Sequence, residues 1–77
     1  MWPDDDPKMS WAEREMTRGF MDGYDVAAPR PSKNRSLSYR WGFVNALRDR
    51  GEHPRFTNAA QARRIADYII RRDNRGK

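Results

Sequence analysis

The sequence predicts an all-α protein, a small three-helix domain with helices over about 11–22, 36–50 and 59–72. Three observations predict it. Apolar residues recur at three- and four-residue intervals, and no alternating run is long enough for a strand. Each periodic segment follows a residue able to cap a helix. Proline or glycine separates one segment from the next. With 77 residues the chain makes one domain at most, and a chain this short buries only about 60–65% of its unfolded surface.

The opening stretch MWPDDDPKM carries two prolines and an acidic triplet, and residues 1–9 are expected to form a disordered lead-in. Ser10 and Glu13 have the spacing of a capping box, in which serine oxygen and glutamate carboxylate satisfy the first free amides of a helix. At 100° per residue Ala12, Met16, Gly19, Phe20 and Gly23 share one face of that helix. Trp11, Arg14, Glu15, Arg18 and Asp22 share the other. Gly19 and Gly23, four residues apart, predict a close crossing with another helix.

Residues 24–35 form the connector between the first two helices. Pro29 and Pro31 exclude a regular helix there and push the residues before them towards extended backbone. Asn34 or Ser36 can cap the second helix. In that helix Leu37, Trp41, Val44 and Leu47 make the expected main apolar stripe, with Tyr39, Phe43 and Ala46 beside it. The two stripes cover more than half the circumference, which marks this helix as the central element. Gly42 falls on the narrower polar arc with Ser38, Asn45 and Asp49, where it costs about 1 kcal/mol relative to alanine. A close backbone approach is the usual compensation. Gly51 stops the helix, His53-Pro54 marks a turn, and Asn58 with Gln61 begins the third helix. Ala62, Ile65, Ala66 and Ile69 point inward from that helix, with Phe56 expected to pack from just before it. The single helical domain is expected to span 10–73, with a charged tail fraying from Asp73 onward and residues 74–77 outside the fold.

Charge is unevenly distributed. Residues 1–25 hold three basic and seven acidic side chains, a net of −4, whereas residues 26–77 hold thirteen basic and four acidic, a net of +9. The basic part projects a positive field that attracts polyanions. Arginine supplies most of it, and a planar guanidinium suits phosphate forks and base stacking. A solvated surface serving only solubility is the competing explanation.

Nothing in the sequence points to catalysis. The one histidine, His53, lies in a loop before a proline, and no cysteine is present. A metal site needs three or four converging ligands, and no phosphate loop, nucleophile elbow or paired-histidine zinc motif occurs. The expectation is a non-enzyme without cofactor or metal. No apolar run is long enough for a membrane span, so a cytoplasmic location without membrane contact is expected. The oligomeric state is not legible.

Arg30, Lys33 and Arg35 in the connector, and Arg40 and Arg48 on the second helix, are candidate nucleic-acid contacts. Tyr39 and Phe43 stand among them as candidate stacking residues, because RNA is held by phosphate contacts together with aromatic stacking. In so small a domain Tyr39, Phe43 and the neighbouring Trp41 are more often core than contact residues. The third helix carries Arg64, Tyr68, Arg71 and Arg75 along one outward line, with Arg63 and Arg72 adjacent, and adds Arg64, Arg71, Arg72 and Tyr68 to the candidates. The i, i+4 spacing of Arg63, Asp67 and Arg71 predicts intrahelical pairing.

The run Arg18-Gly19-Phe20-Met21-Asp22-Gly23 is similar to the Arg-Gly-aromatic-x-x-Gly pattern of the ribosome modulation factor family, small bacterial proteins of ribosome hibernation. The likeness continues through a proline-containing connector to Asn34-Arg35-Ser36 and the run from Tyr39 to Leu47, about 32 residues in all. The resemblance implies two short helices joined by a long connector. It also implies binding to ribosomal RNA and proteins, and regulation of translation by obstructing initiation and favouring inactive ribosome dimers. Arg18 and Arg35 are the basic positions it carries over. Two features depart from the family: Asp4 to Asp6 make the lead-in acidic, and the third helix has no family counterpart.

The expected function is binding to ribosomal or other structured RNA by occupancy. The alternatives are a protein–protein inhibitor or adaptor, of phage or accessory type, docking on an acidic partner surface, and duplex DNA binding through the third helix. For the last, the connector from Gly51 to Asn58 is long for a helix-turn-helix.

Overall fold

A computed structural model of the chain describes residues 9–54 and 58–76, and among them it is all-α. Helix α1 spans Trp11–Gly23, α2 spans Leu37–Asp49 and α3 spans Ala59–Arg75. The lead-in up to Lys8, together with Phe56 and Lys77, lies outside the described residues.

Local chemistry fixes the helix starts. The Glu13 amide donates to Ser10 Oγ at 3.3 Å and the Ser10 amide donates back to Glu13 Oε1 at 3.1 Å, completing the expected capping box. Ser36, rather than Asn34, caps α2 by accepting from the Tyr39 amide at 3.0 Å. Asn58 Oδ1 takes the amides of Ala60 and Gln61 at the start of α3. Beyond the end of α2, Gly51 adopts φ 82°, the left-handed geometry that glycine tolerates.

Helices α1 and α2 run in the same direction. Ser36 Oγ donates to Glu15 Oε1 near their starts, and the Arg50 guanidinium donates to the Gly23 carbonyl oxygen at 2.8 Å near their ends. Between these points the backbones nearly touch. A Cβ at Gly19 would overlap the Tyr39 carbonyl oxygen, and one at Gly42 would overlap the Met16 carbonyl oxygen. The glycine pair on α1 thus makes the close crossing its spacing predicts, and Gly42 makes the reciprocal one. The connector returns the chain along the length of the pair, and prolines fix its path without a helix.

This crossing selects a core different from the one periodicity suggests. Tyr39, Phe43, Ala46 and Leu47 are buried on α2, and Ser38 and Gly42 of the supposed polar arc are buried beside them. Leu37, Trp41 and Val44, expected in the main stripe, are only half-buried. On α1, Ala12, Gly19 and Gly23 are buried, whereas Phe20 stays 37% exposed. Glu15 and Asp22, expected on the outer face, are half-buried and bond to Ser36 and Tyr39 across the seam.

Helix α3 continues three residues past its expected end, and the expected fraying is replaced by docking. Asp73 Oδ2 accepts from the Ser38 amide at 2.7 Å and from Ser38 Oγ at 2.6 Å. The Ala12 amide donates to Asn74 Oδ1 at 2.9 Å. Ser38 and Ala12 occupy the same position, second in the first turn of α2 and α1, where helices leave amides unsatisfied. Consecutive residues of α3 therefore cap both parallel helices, the Asp73 carboxylate at the positive end of α2 and the neutral Asn74 amide oxygen at that of α1. Only Ile69 of the expected inward stripe is buried. Ala62, Ile65 and Ala66 are half-buried or less, so α3 is held chiefly by its C-terminal half.

Candidate nucleic-acid interface

The basic residues separate into two groups by what the fold does with them. Those on and just before α2 are largely engaged inside the molecule. The Arg35 guanidinium lies over the Tyr39 ring, 3.6 Å from its centroid, with Glu15 4.0 Å away. Arg48 donates to the Pro54 carbonyl oxygen at 3.0 Å and to Asn45 Oδ1 at 2.8 Å, and covers the Trp41 ring at 5.2 Å. Arg50 pairs with Glu52. Arg40 is half-buried, with Nε out of solvent and without a hydrogen-bond partner among the described residues.

Tyr39 and Phe43 are corrected as stacking candidates. They are 6% and 3% exposed, sealed under α1 and unable to present a ring face to a base. Together with Leu47 they form the centre of the core. The Tyr39 hydroxyl donates to Asp22, and burial, with that carboxylate beside it, raises the phenol pKa above its ordinary value.

The second group faces solvent. Arg30 and Lys33 in the connector and Arg18 on α1 are exposed. So are Arg63, Arg64, Arg71, Arg72 and Arg75 on α3. At 100° per residue Arg64, Arg71 and Arg75 fall within about 40° of one another, along roughly 16 Å of helix. Tyr68 lies between them and is 63% exposed, the one sequence-selected aromatic that offers its ring to solvent. Among the described residues no ion pair joins Asp67 to Arg63 or Arg71, so the expected intrahelical pairing is not formed. The exposed guanidinium groups of Arg64, Arg71 and Arg75 stay available.

Arg30 and Arg35 also line one cavity, about 330 Å³, between the connector and the α1–α2 pair. Sequence reasoning named both arginines but not the cavity or its acidic wall, Asp22. The Pro-Arg-Pro run was the available signal, because it fixes the backbone on both sides of an unburied arginine.

Among the described residues no three of histidine, cysteine, aspartate and glutamate gather as metal ligands. No helix among them is long and apolar enough to cross a membrane. Comparisons with models of known families, with curated proteins and with solved structures find no match to this chain.

Proposed function

We propose that this chain is a non-catalytic binding protein that takes structured RNA on the outward face of α3 and modulates translation by occupancy. One observation carries the reading: Arg64, Arg71 and Arg75 stand in an exposed line around an exposed Tyr68, without a carboxylate partner among the described residues. Guanidinium groups meet phosphates while the ring stacks on an unpaired base, and neither role needs a chemical step. The likeness of α1, the connector and α2 to ribosome modulation factor adds the ribosome as the preferred particle and the cytoplasm as the place of action. Arg18 on α1 and Arg35 before α2, both exposed, are the contacts the likeness carries over.

Filter binding of RNA at increasing salt tests the proposal. Neutralising four or more phosphates gives a log–log slope of several units, at about 0.7–0.9 per contact. A flat response overturns it. Sucrose-gradient profiles of ribosomes with added protein test the particle, with co-migration or a shift towards dimers as the expected result.

Exposed apolar residues favour a second reading. Phe20, Tyr24 and Val26, exposed by 37%, 44% and 81%, lie around the end of α1 and suit a protein contact next to the basic surface. A partner retained in pull-down after nuclease digestion supports an adaptor on an acidic protein.

A further inference from the structure

The cavity beneath the connector combines groups that a simple basic surface does not. Arg30 sits between Pro29 and Pro31 on its rim, exposed and without a partner among the described residues. Two proline rings restrict the backbone around it, so the point from which its side chain leaves the chain is fixed in advance of any ligand. Arg35 covers Tyr39 with one face of its guanidinium, yet 43% of its side chain remains exposed. A planar cation supported from one side is thus presented on the other. Asp22 also lines the space, and among the described residues its Oδ2 alone is occupied, by the Tyr39 hydroxyl. Its Oδ1 is left as an acceptor.

A bare anion fits this set poorly, because Asp22 repels it. A fully cationic ligand meets two arginines. What matches is a flat ring that donates a hydrogen bond and carries a phosphate at its far side. Guanidinium planes stack on nucleobases, carboxylates accept from exocyclic amines, and arginine forks engage phosphate. At about 330 Å³ the space is at the lower end of small-ligand pockets.

We propose that the cavity walled by Asp22, Pro29, Arg30, Pro31 and Arg35 is a pocket for one unpaired nucleotide whose base bears an exocyclic amine. The base lies on Arg35 with its amine directed at Asp22 Oδ1, and Arg30 holds the phosphate. The proposal rests on the nucleic-acid reading and supplies what the α3 line lacks, a preference among bases. Phosphate contacts position a nucleic acid, and base contacts select it.

The test is a titration of the full-length, nitrogen-15-labelled protein with adenosine monophosphate, uridine monophosphate and inorganic phosphate. Adenosine monophosphate should shift the amide signals of Ala28, Arg30, Ser32 and Tyr39, with the other two probes weaker. Arg30→Gln, which removes no hydrogen bond or ion pair among the described residues, should weaken adenosine monophosphate about tenfold. Shifts confined to α3, an unchanged titration of Arg30→Gln, or equal responses to all three probes would overturn the pocket. RNA binding lost on charge removal from α3, with a silent connector, leaves the RNA reading standing and the pocket refuted. The reverse pattern, connector shifts without salt-dependent RNA binding, sustains the pocket and refutes that reading.

Discussion

Asp73 accepts hydrogen bonds from both the amide and the hydroxyl of Ser38, joining the last turn of α3 to the first turn of α2. Ser38 has no exposed surface, so water cannot replace the carboxylate without opening the contact. The neighbouring Asn74 makes the equivalent bond to Ala12 of α1. Parallel packing sets two positive helix ends side by side, and these two residues answer both.

Asp73→Ala should therefore destabilise the protein by about 1–3 kcal/mol, the penalty for leaving buried donors unmet. Urea unfolding followed by circular dichroism measures it. Asn74→Ala should cost less, about 1 kcal/mol, because it removes one neutral acceptor. Equal stability of Asp73→Ala and the parent would show that α3 does not cap α2.

Gly42→Ala should also destabilise, against the propensity scale. In an exposed helix the change gains about 1 kcal/mol. Here the new methyl overlaps the Met16 carbonyl oxygen, a backbone atom that moves only with the whole of α1. Overpacking of this kind costs about 1–3 kcal/mol or more. A rise in the thermal midpoint of Gly42→Ala would rule out the close crossing.

Tyr39 gives the fold an alkaline limit. Its phenol is held above the ordinary tyrosine pKa of 10.0, first by burial and then by Asp22. The unfolded chain ionises first, so this contribution is complete below pH 10 and is lost as pH rises through the folded pKa. Thermal midpoints between neutral pH and strong alkali should fall above that point. Tyr39→Phe, less stable at neutral pH for want of the Asp22 bond, should show a shallower fall. An identical alkaline slope in both proteins would contradict this.

Replacing Arg64, Arg71 and Arg75 together by glutamine should lower the salt slope of RNA binding by about two units, at 0.7–0.9 per phosphate contact. Stability should change little, since these side chains are exposed and make no hydrogen bond or ion pair among the described residues. Arg48→Gln, by contrast, should leave the slope nearly unchanged and reduce stability, because Arg48 serves Asn45, Pro54 and Trp41. An unaltered slope in the triple variant would remove α3 as the RNA-binding face.

The sequence by itself determined what depends on near neighbours along the chain. Capping at Ser10, Ser36 and Asn58, the breaks at Pro29, Pro31 and Gly51, and helical periodicity between them gave three helices with nearly the right limits. Each signal acts within one or two turns, so it reads linearly. The outward line of Arg64, Tyr68, Arg71 and Arg75 was legible for the same reason.

Tertiary structure decided which faces meet. Hydrophobicity ranks Gly42 and Ser38 as polar, but backbone proximity rewards the absence of a side chain, and so the seam formed on their arc rather than on Leu37, Trp41 and Val44. Parallel packing then created two adjacent helix ends in need of acceptors, and this need turned Asp73 and Asn74 from an expected loose tail into a clasp. The same packing drew Tyr39 and Phe43 inward and bound Arg35 and Arg48 to neighbours. Composition counts charges and rings; only the fold decides which of them are already engaged within the molecule.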